Sequence, residues 1–205
     1  MIRGPIRLAM VGGGPGAFIG PVHRMAAELD GRIRLVAGAF SRDAGRNAEA
    51  ARAWGVRGYD DFAGLIAGEA ARHDGAELVA VVTPNHLHFP VSAAALRAGL
   101  HVMSDKPATL NLAEARELAG IVAASGRLYG LTHTYTGYPM VREARAIVAR
   151  GDLGRVRKIV VEYAQGWLSR TDDAAGWRAD PTQSGAGGCI ADIGVHAFNL
   201  AEFIG

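Results

Sequence analysis

Cysteine is nearly absent. Cys189 is the only one in 205 residues, so no disulfide can close within the chain and no secreted disulfide framework can be built. Runs of like charge are missing too. The formal net charge is +2, too small to imply a nucleic-acid partner, and no block of five or six like charges occurs. No stretch approaches the roughly 18 uninterrupted apolar residues of a membrane span. The opening Met1-Ile2-Arg3-Gly4-Pro5 lacks the apolar stretch and small-residue cleavage site of a secretory leader. The expectation is a soluble, cytoplasmic protein with neither nucleic acid nor membrane as partner.

Apolar residues make up 49% and charged residues 20%, the balance of an ordinary globular chain. The length suits one or two domains that bury about two-thirds to three-quarters of the unfolded surface. Short apolar runs at 6–11, 33–40, 78–82, 101–103 and 128–131 read as buried strands. Between them, 22–29, 44–54, 62–71, 91–98 and 112–124 carry apolar residues at helical spacing. Strand alternating with helix predicts an α/β fold with a doubly wound, Rossmann-type parallel sheet. Asn111 with Glu114 three residues on predicts a helix start, and Gly99 a helix stop.

After about Tyr135 the pattern changes. An amphipathic helix at 140–150 closes on Gly151, a strand-like run covers 155–165, a polar Gly-rich stretch covers 169–188, and a helix follows from about 192 to 204. We read 1–134 as a dinucleotide-binding domain and 135–205 as the opening of a second α/β domain. A lone strand with two helices leaves open ladder edges, so the chain is expected to be part of a larger two-domain protein.

After the first strand comes Gly12-Gly13-Gly14-Pro15-Gly16-Ala17-Phe18-Ile19-Gly20. Glycines there let backbone turn sharply and approach a pyrophosphate at a helix N-terminus. Gly12 and Gly14 fit the first two positions of the dinucleotide fingerprint; the third falls on Ala17, or on Gly20 if the loop is longer. Gly16, Phe18 and Ile19 are counted with the cofactor-binding turn. A Gly-rich turn alone is equally a tight turn, and its place after the first strand is what favours the cofactor reading. The second strand ends near Ser41-Arg42-Asp43. A hydroxyl and a guanidinium suit a 2′-phosphate, which favours NADP over NAD, although Asp43 is in reach of a ribose and Arg42 also reads as a solvated loop arginine.

Taken in order, the Gly-rich turn with His23, Thr83-Pro84-Asn85-His86-Leu87-His88, the run from Ala98 through Asp105-Lys106-Pro107, the turn Gly151-Asp152-Leu153-Gly154, and Gly187-Gly188 followed by Asp192 and His196 resemble the Gfo/Idh/MocA oxidoreductases. Asp105 stands where that family usually has Glu, one methylene longer. The resemblance implies that Lys106 lies near both the nicotinamide and the substrate hydroxyl, where an ammonium stabilises charge as an alcohol loses its proton. Asp192 and His196, four residues apart, share a helix face. His196 is then the proton acceptor and Asp192 its orienting or substrate-binding partner, against the plainer reading of a helix-capping Asp and a packed His. Thr83, Pro84, Asn85, His88, Asp105 and Lys106 are counted as cofactor-binding.

His86 and His88 lack a third ligand at metal-site spacing, so no metal is expected. Cys189 reads as packing. Trp167, Trp177, Tyr135 and Tyr163 suit a sugar-sized pocket, though each alone reads as packing. The resemblance implies an NAD(P)-dependent dehydrogenase of a sugar, inositol or related polyol, homo-oligomeric at full length. An NAD-dependent glycoside hydrolase of the same family and a non-catalytic dinucleotide-binding module stand as alternatives.

Overall fold

The structure, a computed structural model, describes residues 4–166, 168–170 and 176–205. It divides into two compact units, Met1–Leu131 and Thr132–Gly205.

In the first unit, strands β1 (Ile6–Gly12), β2 (Ile33–Ala39), β3 (Arg57–Gly58), β4 (Leu78–Val82), β5 (His101–Ser104) and β6 (Tyr129–Leu131) form one sheet in the order 3-2-1-4-5-6. Every pairing is parallel. Helices α1 (Ile19–Glu28), α2 (Ala44–Trp54), α3 (Phe62–Ala71), α4 (His88–Arg97) and α5 (Leu112–Ser125) supply the crossovers. The sheet is covered on both faces, as a parallel sheet requires. Ala9, Val11, Ala37, Val79, Val81 and Val102 pack with Leu65, Val91, Leu96 and Leu118. Their neighbours Leu8, Met10, Leu35, Ala80 and Val82 pack with Ile19, Ala50, Ala51 and Trp54. This is the predicted Rossmann-type sheet, and its order reverses between β1 and β4, where ligands of such folds collect.

Local signals behave as their chemistry demands. Asn111 Oδ1 accepts from Glu114 N at 3.0 Å, and Glu114 accepts in return from Leu110 N at 3.0 Å. Gly99, at φ +84°, ends α4 in a conformation that suits glycine. Strand β3 was not foreseen; two residues carry no readable alternation. It is pinned from the side: Arg57 Nε and Nη2 donate to Glu69 at 2.8 and 2.6 Å, and Tyr59 Oη donates to the same carboxylate at 2.7 Å. Ala76 N also donates to it at 2.8 Å.

The second unit holds α6 (Pro139–Ala149), the short α7 (Pro181–Ser184) and α8 (Val195–Ile204), the last entered through a π-helical turn, Ile190–Gly194. Pro139 opens α6 at a position where its missing N–H costs nothing. Arg145 lies over the Phe203 ring at 4.4 Å, joining α6 to α8. The strand expected at 155–165 does not form. A strand exists only against a hydrogen-bonded neighbour, and none is present among the described residues of this unit, so Ile159, Val160 and Val161 stay exposed. Trp167 and part of the 169–188 stretch lie outside the described residues. No helix among the described residues is long and apolar enough to cross a membrane.

Candidate active site

The turn after β1 is a close fit that side chains would destroy. Gly12 and Gly13 have φ of +77° and +67°. A Cβ on Gly12 would stand 2.8 Å from the Val82 carbonyl oxygen, and one on Gly13 would stand 2.5 Å from Val82 Cγ2. Gly14 packs against Phe40, whereas Gly16 faces open space and Phe18 is exposed. The third fingerprint position is Gly20: its Cβ would fall 1.6 Å from the Gly13 carbonyl oxygen, and no other residue permits α1 to sit so close to β1. Of the two positions left open by spacing, Ala17 is thereby set aside. No side chain caps α1, an arrangement that suits an anion at its start. Nearby, Thr83 Oγ1 is buried without a hydrogen-bond partner among the described residues. A glycine cradle, uncapped amides and an unsatisfied hydroxyl at the switch point fit a dinucleotide pyrophosphate.

At the end of β2, buried Asn47 accepts from Phe40 N at 2.7 Å and donates to the Tyr59 carbonyl at 2.7 Å, fixing the turn. Ser41 Oγ accepts from Asp43 N at 3.1 Å, and Asp43 Oδ1 accepts from Arg46 N at 2.8 Å. Asp43 is therefore the α2 cap. Arg42 reaches across to His86, Nη2 to Nε2 at 3.3 Å.

At the end of β5, Asp105 N donates to the Val81 carbonyl at 2.9 Å, carrying the ladder one residue further. Asp105 Oδ1 accepts from Lys106 N at 2.8 Å. Its Oδ2 lies 3.9 Å from His23 Nε2 on α1. Burial pulls the His23 pKa down, opposed by the Asp105 carboxylate, with a net lowering.

His88 departs from expectation. Grouped with the cofactor ligands on its motif, it is only 1% exposed, its Nδ1 against the Pro107 carbonyl and its Nε2 2.9 Å from the Thr83 carbonyl. No ring face is left for a ligand. It ties the Thr83 turn to the Lys106 turn from beneath. The buried Asn85 and the half-buried Pro84 stand on the same turn. The turns carrying Gly12–Phe18, Ser41-Arg42, Thr83–Asn85 and Asp105-Lys106 thus all leave the carboxyl ends of their strands, on one edge of the sheet.

In the second unit, His196 sits on α8 among aromatic rings. Tyr135 is 4.9 Å away between ring centroids, Tyr163 6.1 Å, and His133, which the pattern did not single out, 6.4 Å. Tyr135 and Tyr163 share a hydrogen bond between hydroxyls, and Gln165 donates to Tyr163 Oη at 2.8 Å. That shared bond, with burial second, pushes the Tyr135 phenol up to about 12. Asp192, in the π-helical turn, pairs with Arg178 at 3.5 Å. Arg178 in turn lies over the Trp177 ring at 4.5 Å. Cys189, expected to pack, is exposed instead.

A family model described as oxidoreductase family, NAD-binding Rossmann fold, matches residues 6–133, and the Gfo/Idh/MocA C-terminal domain model matches 141–205. The chain belongs to the Gfo/Idh/MocA oxidoreductase family. A solved structure of an inositol dehydrogenase homolog from Azotobacter vinelandii with NAD+ is 42% identical, with TM-score 0.94 over 99% of this chain and 54% of that one. A structure of an inositol dehydrogenase homolog from the same organism with NADH and myo-inositol is also 42% identical, with TM-score 0.92 over 99% of this chain and 53% of that one. An uncharacterised oxidoreductase, YfiI, of Bacillus subtilis (strain 168) is 34% identical over 214 residues, 100% of this chain and 54% of the relative. The Gfo/Idh/MocA chain described here spans about half the length of these relatives.

Proposed function

We propose that this chain supplies the dinucleotide-binding unit and the catalytic side chains of an NAD(P)-dependent dehydrogenase acting on a secondary alcohol of a sugar, inositol or related polyol. The observation that carries the reading is the sharing of one sheet edge by the glycine turn after β1 and the Asp105-Lys106 turn after β5, on either side of the switch point. The polyol class draws support from the relative whose structure holds NADH and myo-inositol. In this reading residues 1–134 form the dinucleotide-binding domain, and 135–205 belong to a substrate and oligomerisation domain of a homo-oligomer.

When bound, the nicotinamide supplies the hydride acceptor or donor. In the oxidation direction, the Lys106 ammonium donates a hydrogen bond to the substrate oxygen and holds the negative charge that grows there. His196 takes the hydroxyl proton on its imidazole ring. Asp192 binds a neighbouring substrate hydroxyl or steadies the ring. Gly12, Gly14 and Gly16, with Phe18 and Ile19 at the start of α1, hold the pyrophosphate; Thr83, Pro84 and Asn85 line the far side; Asp105 orders the lysine turn through its bond to Lys106 N. His88 acts beneath, as a tie.

The 2′ position falls to Ser41 and Arg42. Asp43 caps α2, and no described carboxylate pairs with Arg42, so the turn presents positive charge and favours NADP.

The test is to mix the protein with NAD+ or NADP+ and myo-inositol and follow reduced-nicotinamide absorbance, with each cofactor's Kd measured in parallel. Turnover is expected, at least 100-fold lower in Lys106→Ala and in His196→Ala. Cofactor binding without turnover on any of a panel of polyols would overturn the catalytic assignment. Clearly tighter NAD+ than NADP+ binding would overturn the NADP preference alone.

A further inference from the structure

His196 follows Val195 at the start of α8, just past the π-helical turn. The last torsion of a histidine side chain is soft, with two broad wells. A base that must meet one hydroxyl at one angle loses rate when its ring swings. Aromatic rings of the same unit stand around it: Tyr135 at 4.9 Å, Tyr163 at 6.1 Å and His133 at 6.4 Å between centroids. Tyr135 is the nearest of these, and the two rings meet edge to face at 73°. That is a favoured arrangement for packed rings.

Tyr135 is itself held from several sides. It lies on a 3₁₀ turn, Thr134–Gly137, pinned by Thr136 Oγ1 donating to the His133 carbonyl at 2.8 Å and by Arg142 Nε of α6 donating to the Thr136 carbonyl at 3.2 Å. Tyr138 packs edge-on against its ring at 5.6 Å. Its hydroxyl shares a hydrogen bond with Tyr163 Oη, which also accepts from Gln165 Nε2 at 2.8 Å. That shared bond, with burial second, is what lifts the Tyr135 phenol to about 12. An imidazole titrates near 6.5. Tyr135 therefore keeps its proton wherever His196 gains or loses one: the phenol is not itself the base, and its tether persists across that range.

We propose that Tyr135 is a positioning residue for the reaction: tethered through Tyr163 and Gln165, its ring holds the His196 imidazole at the angle that meets the substrate hydroxyl. The inference rests on the reading of His196 as proton acceptor and adds to it the groups that aim the ring. Tyr135 touches the imidazole and acts on turnover through it. Its loss therefore lowers kcat and leaves KM for the polyol unchanged.

Kinetics on myo-inositol with the tighter-bound of NAD+ and NADP+, together with NMR spectra of the full chain, test the assignment. Tyr135→Leu is expected to lower kcat about thirtyfold with KM changed by less than about twofold. Tyr135→Phe keeps the ring and cuts the tether, and is expected to recover most of that loss, to about threefold below the unaltered chain. Tyr163→Phe cuts the same bond, so the two Phe changes together are expected to cost no more than either alone. The His196 ring protons, shifted by the neighbouring Tyr135 ring, are expected to move in Tyr135→Leu and to stay in Tyr135→Phe. A raised KM at unchanged kcat would overturn the assignment and make Tyr135 a substrate contact. Equal impairment of the Leu and Phe variants, additive losses for the two Phe changes, or His196 signals unmoved by Tyr135→Leu would also overturn it. Full activity in His196→Ala, or no turnover of any polyol by the unaltered chain, would overturn the reading of His196 as base; the ring-proton shifts then still decide whether Tyr135 holds the imidazole.

Discussion

Gly20 shows how one hydrogen atom decides a site. A methyl group there would overlap the Gly13 carbonyl, and backbone cannot swing aside as a flexible side chain does. Gly20→Ala is expected to cost about 1–3 kcal/mol of stability through overpacking. It should also weaken dinucleotide binding more than tenfold, because relief requires α1 to withdraw from the glycine turn. Chemical denaturation and a binding titration check the two effects; a variant with unchanged affinity would show that the turn tolerates displacement. Spacing in the sequence left Ala17 and Gly20 both open, because it does not say how many residues a loop spends before its helix. Likewise, spacing put Asp43 within reach of a ribose but did not show that its Oδ1 also caps α2. His88 illustrates the reverse: its motif placed it correctly in the chain, yet only the packing of α4 shows the ring turned inward.

At the scale of elements, the edge strand β3 depends on a buried carboxylate more than on its ladder. The Glu69 side chain is fully buried. Burial pushes its carboxyl up, but the hydrogen bonds from Arg57, Tyr59 and Ala76 N outweigh that, leaving the pKa below the ordinary value. A carboxyl with a depressed folded-state pKa stabilises fully above its unfolded value near 4.3. The contribution fades as pH falls through the folded value. Glu69→Gln is expected to cost about 3 kcal/mol at neutral pH, the typical cost of leaving a paired charge without its partner. It should also flatten the loss of stability seen on acidification in the unaltered protein. Urea melts at several pH values measure this; parallel acid profiles for the two proteins would sink the assignment. The longer elements were legible because their apolar residues recur at the helix or strand period. Strand β3 was not readable in that way, and the 155–165 run, read as a strand, does not form one. The first is too short to show a period, and the second has a period but no partner among the described residues.

Across the molecule, right-handed crossovers restrict the topologies open to alternating strands and helices, and for that reason a doubly wound sheet could be anticipated, although its order is read from the structure. Which residues of 132–205 would pair could not be anticipated, since a ladder needs two strands and the pattern offered one. Residues 155–166 accordingly should exchange their amide protons fast, while those of β1 and β4, central in the sheet, should be the last to exchange. Hydrogen exchange read by mass spectrometry distinguishes the regions; strong protection across 155–166 would mean that the segment finds a hydrogen-bonded neighbour in solution.

The sheet of the first unit also tapers. Its longest strands, β1 and β2, run seven residues each, while its two edge strands run two and three. A flank that short presents few unpaired amides and carbonyls to a stranger, and short edge strands are one way that proteins discourage unwanted strand addition. The taper therefore works as a built-in guard against edge-to-edge aggregation, and it leaves the long, well-paired strands of the sheet to carry the ligand.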